Sequence, residues 1–145
     1  MALTHTVYGL SLVTMANAEW SFNSGTIKSL LCTSTYTPNQ DTHKYRSDLT
    51  NELATAGGYT AGGVALGTKS TPYTTGTNTM ALVCANIVYS AVTLTARYAI
   101  IYCDTGTSAT SALLSYIDFG ANQSPSSQNL QLTINAGGLI TYQVA

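Results

Sequence analysis

Along most of the chain apolar residues recur at every second position, the spacing of half-buried strands, and not at the three-to-four spacing of a helix. Tyr8, Leu10 and Leu12 place one face of a first strand over residues 8–14. Asn17 to Ser21 turn the chain, Asn23-Ser24-Gly25 supply turn chemistry, and residues 26–33 follow as a strand that becomes apolar on both sides at Leu30-Leu31-Cys32. Further strands are expected at 64–66, 70–73, 79–84, 92–102, 112–119 and 130–134. Pro72 argues for an edge position, because it has no N–H to give to a ladder. The 92–102 run is the longest, β-branched and aromatic, as suits a central strand. Asn135-Ala136-Gly137-Gly138 reads as a tight hairpin into a last strand over 139–144.

Residues 34–63 break the period. Pro38 disfavours a helix through Thr37. Asp41 is placed to cap a short helix over 42–53, where Tyr45, Leu49 and Leu53 recur every four residues. Gly57-Gly58 and Gly62-Gly63 then mark a flexible or tightly turned stretch. The segment is read as one long surface excursion, and long ordered excursions often carry function. The expectation is a single all-β domain over 1–145, an antiparallel β-sandwich (jelly-roll or immunoglobulin-like) of eight or nine strands with one short helix in a long loop.

Composition narrows the function. Only 8% of the residues are charged and the formal net charge is −1, while 45% are hydrophobic, so the chain has the apolar content to fold. A surface so poor in charge repels neighbours weakly and tolerates permanent association. Lys28, Lys44, Arg46, Lys69 and Arg97 are scattered, whereas nucleic-acid binding needs clustered cations, so no nucleic-acid partner is expected. No basic amphipathic stretch points to a membrane surface, no apolar run reaches the ~18 residues of a spanning helix, and the N-terminus is a poor signal peptide. Cys32, Cys84 and Cys103 form no C-x-x-C pair and lie among apolar neighbours, which fits buried free thiols.

Candidate chemistry is sparse. Gly62 and Gly67 have phosphate-loop spacing, but Thr68-Lys69 inverts the required order and neither a strong strand nor a following helix frames it. His43, near Asp41, Asp48 and Glu52, could form a metal or proton-transfer site, against the plainer reading of a solvated polar helix face. His5 falls in a segment expected to be loose. Asp104 and Asp118 could act as a carboxylate pair; Asp104 is equally well explained as the first residue of an Asp-x-Gly turn, and Asp118 as a partner for Arg97. No catalytic residue, cofactor or metal is assigned, and the protein is expected not to be an enzyme. Tyr36, Tyr45 and Tyr59, in the excursion, suit a protein contact, and Tyr36, Asp41, His43, Tyr45 and Tyr59 are taken as the candidate partner-contact set.

The blocks Tyr36-Thr37-Pro38-Asn39-Gln40-Asp41-Thr42-His43 and Gly58-Tyr59-Thr60-Ala61-Gly62-Gly63-Val64 resemble those of a family of small proteins encoded by tailed bacteriophages and prophages. Ala96-Arg97-Tyr98-Ala99-Ile100-Ile101-Tyr102, Asp104-Thr105-Gly106-Thr107 and Tyr116-Ile117-Asp118-Phe119-Gly120 match it in the same order. The resemblance spans roughly residues 20–145. It implies a virion structural protein, a head decoration (cement) or minor capsid protein on the capsid surface, with the major capsid protein as partner. The alternative it leaves is a tail-tip or fibre-associated module that binds a host receptor or glycan. The chain departs from the family in being poorer in charge, with Cys84 and Cys103 where polar residues are common. Self-association, as a trimer, is expected to give multivalent attachment.

Overall fold

The computed structural model describes residues 4–144 and is 41% strand and 8% helix. In chain order the elements are β1 (Thr4–Val7), α1 (Gly9–Ala16), β2 (Ile27–Cys32), a 3-10 turn (Arg46–Asp48), β3 (Val64–Ala65), β4 (Tyr73–Thr74), β5 (Thr79–Leu82), β6 (Ile87–Val92), β7 (Ala96–Cys103), β8 (Leu113–Gln123), β9 (Gln128–Leu132) and β10 (Ile140–Gln143). All pairings are antiparallel. The main sheet has the order β1-β8-β7-β2-β3, and the facing layer is made of the three-stranded β10-β5-β4 and the pair β6-β9. The fold is an all-β antiparallel sandwich.

The strongest apolar runs become the middle of the main sheet because that sheet is covered on both faces. One face carries Ile27, Leu31, Ala99, Ile101 and Ile117 against Leu82, Ile87, Tyr89, Leu130, Leu132 and Ile140 of the second layer. The other carries Leu30, Cys32, Ile100, Tyr102 and Leu113, and is closed by Tyr8 and Tyr36. Leu114 is the extra residue of a bulge between the pairs Ile101/Ser115 and Tyr102/Leu113, which sends both Leu113 and Leu114 into apolar surroundings. The two layers are tied by Tyr89, whose hydroxyl lies 2.8 Å from the Ser29 carbonyl oxygen and 2.7 Å from its Oγ.

The excursion over 34–63 is what covers the second face. It runs beside β2 where β3 ends: Leu53 N–H donates to Leu31 O (2.9 Å), Thr33 N–H to Asn51 O (3.1 Å), and Leu31 N–H to Tyr59 Oη (3.0 Å). Tyr102 Oη donates to Gly62 O at 2.8 Å. A side chain at Gly63 would run into Ser29 O of β2, and its φ of +72° is open to glycine at little cost. The Gly-rich stretch is therefore a close approach of two backbones.

Four expectations are corrected. Of the first strand expected over 8–14, residues 9–14 lie in the α-helix Gly9–Ala16, so the short helix lies outside the long loop. Residues 42–53 hold only the 3-10 turn, because Asp48 Oδ2 accepts from both Lys44 N–H (2.8 Å) and Tyr45 N–H (2.9 Å) and closes the chain tightly. The 92–102 run is divided between β6 and β7: Ala91 takes a φ of +50°, and Thr93 N–H is drawn to Gly57 O at 2.7 Å. Residues 135–138 do turn, but into a different sheet, since β9 pairs with β6 and β10 with β5. β4, next to Pro72, is an end strand as expected.

Candidate functional site

The residues expected to contact a partner separate into two groups. Tyr36 (1% exposed) and Tyr59 (3%) are buried in the subunit, their rings spent on the core and their hydroxyls on internal hydrogen bonds, which corrects the expectation that they face outward. Asp41 is exposed, and His43 and Tyr45 are half-buried. Tyr36 Oη bridges Tyr8 Oη (2.8 Å) and His43 Nδ1 (2.8 Å). Burial holds the Tyr8 and Tyr36 phenols far above their ordinary range, so both phenols stay protonated. Tyr45 Oη donates to Glu19 Oε2 at 2.7 Å, and Lys44 Nζ sits 3.5 Å from Glu19 and 4.6 Å from the centre of the Tyr45 ring. The Tyr45 hydrogen bond is the main reason the Glu19 carboxyl lies below its ordinary value.

The possible catalytic sets do not assemble. Asp48 is occupied with two backbone amides, and Glu52 takes Arg46 (2.9 Å) and Gly62 N–H (2.5 Å), leaving His43 bonded to Tyr36. Among the described residues no three His, Cys, Asp or Glu side chains converge as metal ligands would. Asp104 pairs with Lys28 at 2.6 Å and accepts from Gly106 N–H, the expected turn. Asp118 grips Arg97 through two bonds of 2.6 and 3.2 Å. Asp118 lies opposite Tyr98, at the other end of β7 from Asp104, so about 20 Å of strand separates their backbone positions. That is far beyond the spacing of a carboxylate pair. All three cysteines are free and buried. Among the described residues no helix is long and apolar enough to cross a membrane.

Two surface features remain. Tyr98 and Tyr116, both half-buried, lie edge to face beside Tyr36 and Tyr8, with the Arg97–Asp118 pair at their rim. The second feature is α1, whose sides are reversed. It turns Ser11 and Thr14 inward and leaves Leu12 (45%) and Val13 (47%) exposed. The inward polar groups are partly matched by Trp20, whose Nε1–H donates to Thr14 Oγ1 (2.9 Å) and more weakly to Ser11 O (3.3 Å). The helix is stopped by a Schellman turn: Glu19 N–H donates to Thr14 O, Ala18 N–H to Met15 O, and Ala18 takes a φ of +56°. Sequence reasoning missed this face. Its signal was the adjacent pair Leu12-Val13 with small polar residues at positions 11 and 14, an inside-out helical pattern that period two conceals.

No protein-family model, no curated protein and no solved structure matches the chain.

Proposed function

We propose that this is a non-enzymatic structural subunit that works by packing into a larger assembly, and that the assembly is the virion of a tailed bacteriophage. In its most specific form the chain is a capsid decoration (cement) protein that self-associates as a trimer and binds the major capsid protein lattice. The observation that carries the assembly role is the reversed helix: α1 buries hydroxyls and presents Leu12 and Val13 to solvent. A folded chain gains nothing from that arrangement alone, but a partner covering the pair removes apolar area from water. The charge-poor surface supports close association, and the resemblance supports the virion. The face of α1 meets a second copy, while Asp41, His43 and Tyr45 meet the capsid lattice.

Sedimentation over a range of concentrations should show a trimer, and replacing Leu12 and Val13 with serine should return it to monomer with unchanged thermal stability. A wild-type chain that stays strictly monomeric and fails to bind assembled heads overturns the reading. The second reading, a tail-tip or fibre-associated module for a host receptor or glycan, is favoured by the half-exposed Tyr98 and Tyr116 with Arg97 and Asp118 beside them. Glycan-array and host-cell binding assays that are both blank would remove it.

A further inference from the structure

Among the described residues, one tyrosine hydroxyl points at a nitrogen base: Tyr36 Oη lies 2.8 Å from His43 Nδ1. A neighbour fixes the direction of the proton. The Asn39 N–H also faces Nδ1, at 3.4 Å, and a backbone amide can only donate. Nδ1 is therefore the bare nitrogen of the imidazole, and Tyr36 donates into it. The Tyr36 oxygen in turn accepts the Tyr8 hydroxyl at 2.8 Å. Other tyrosines bond differently. Tyr89 and Tyr102 donate to backbone carbonyl oxygens, Tyr73 to an amide oxygen and Tyr45 to the Glu19 carboxylate. Carbonyl, amide and phenol oxygens are too weakly basic to take a phenolic proton. Glu19, held below the ordinary carboxyl value, is a weaker base than an imidazole. Tyr36 also has aromatic neighbours that reach the surface. Tyr98 meets it edge-on with ring centroids 5.8 Å apart, Tyr98 and Tyr116 are 6.5 Å apart, and Tyr116 and Tyr8 are 5.2 Å apart. Tyr98 and Tyr116 are half-buried, whereas Tyr8 and Tyr36 are closed in.

The geometry points to Tyr36 as a redox-active tyrosine, a reversible store for one oxidising equivalent with His43 as its proton acceptor. The oxidant is a one-electron acceptor at the surface, of the metal(III) polypyridyl class. An electron leaves Tyr36 through the tyrosines in contact with it and reduces that acceptor by one. In the same step the Tyr36 O–H bond breaks and an Nδ1–H bond forms on His43, leaving a neutral phenoxyl radical and an imidazolium. Loss of the electron alone would strand a positive charge in the closed core, where an unpaired charge is costly. The proton carries that charge to His43, which is half-buried and stacks on Tyr36 with centroids 5.7 Å apart. Burial keeps the phenol protonated until then, so the proton does not leave first. The Tyr8 hydroxyl stays bonded to the radical oxygen, and the surrounding core keeps a second radical from coupling to it. A one-electron reductant such as ferrocyanide returns the electron, and the proton on His43 goes back to Tyr36. The inference rests on neither reading of the function given above.

The test uses the intact chain with its histidines labelled in the heavy nitrogen isotope. A light flash on tris(bipyridine)ruthenium(II) with persulfate generates the ruthenium(III) oxidant, and the product is freeze-trapped for electron paramagnetic and double-resonance spectra. A neutral tyrosyl radical should appear, coupled to a histidine nitrogen and, after exchange into heavy water, to deuterons in its hydrogen bonds. That reading needs no substitution. Tyr36→Phe should remove the coupled radical. His43→Gln, whose amide oxygen accepts a hydrogen bond but not a proton, should shorten the life of the radical by roughly tenfold or more, the factor of a hydrogen bond to a charged group. Tyr73→Phe should leave it unchanged, and ferrocyanide should discharge it. A radical without histidine coupling, one equally long-lived in Tyr36→Phe or His43→Gln, or dityrosine as the sole product overturns the inference.

Discussion

Replacing Tyr89 with phenylalanine removes one oxygen from the centre of the sandwich. The side chain is 1% exposed, and Ser29 beneath it is fully buried. The Tyr89 hydroxyl shares its proton between the Ser29 carbonyl oxygen and Ser29 Oγ, so the substitution deletes both hydrogen bonds and leaves the Ser29 hydroxyl orphaned away from water. Two buried hydrogen bonds contribute about 2 kcal/mol net, and an unsatisfied buried hydroxyl costs about 1–2 kcal/mol more, so the expected loss is roughly 3–4 kcal/mol. With an m-value of about 2 kcal/mol/M in urea, the midpoint should fall by roughly 1.5–2 M at unchanged m. Ser29→Ala in the same chain removes the orphan, so the double variant should recover about 1–2 kcal/mol relative to the sum of the single losses. A loss below about 0.5 kcal/mol for Y89F, or strict additivity of Y89F and S29A, would refute the argument that this pair ties the two layers.

Ala18→Gly should raise stability by roughly 0.5–1 kcal/mol, because alanine at φ +56° is strained where glycine is not; the melting temperature should rise by about 2–4 °C. The three thiols should resist alkylation at pH 8 in the native protein and react together once it is unfolded. Burial pushes Cys84 up to about 11, burial and then the Glu52 charge push Cys32 up to about 12, and burial also raises Cys103. Asp118 is held below its ordinary value of 3.8, first by the hydrogen bonds from Arg97. Its folded pKa is the lower one, so its contribution is complete above the unfolded pKa and is lost as pH falls through the folded pKa. Urea midpoints of wild type and Asp118→Asn should differ by a constant amount above about pH 5 and converge below about pH 3.

The parts of this fold that were legible in the sequence are those whose causes are local. Residues 27–32, 96–103 and 113–119 announce a doubly covered sheet through continuous apolar runs. The Asp104 turn, the Arg97–Asp118 pair and the buried cysteines follow from neighbours a few residues away or one strand away. What was not legible is set by distant contacts. The break between β6 and β7 depends on Gly57 capturing the Thr93 amide, while the sequence alternates smoothly through Val92-Thr93-Leu94-Thr95. The passage of residues 135–140 from one sheet to another leaves no mark that a hairpin would not also leave. For the candidate site, the burial of Tyr36 and Tyr59 is not legible in the sequence, because an aromatic in a Gly/Thr-rich loop looks the same whether it caps a sheet or faces a partner. Here the loop itself is the cover. The α1 face was missed because its apolar residues point outward, contrary to the rule that makes periodicity informative.

The pairing of β1 with β8 sets when the molecule can exist at all. Its first strand, residues 4–7, waits for residues 115–118, more than a hundred positions later. Synthesis at about 5–20 residues per second makes that interval several seconds or more on the ribosome. Throughout it β1 lacks the strand that pairs with it, and such distant pairings close slowly. A truncated chain therefore cannot complete the main sheet. Only a chain that has reached residue 118 can close that sheet, so the topology itself distinguishes a completed copy from a truncated one.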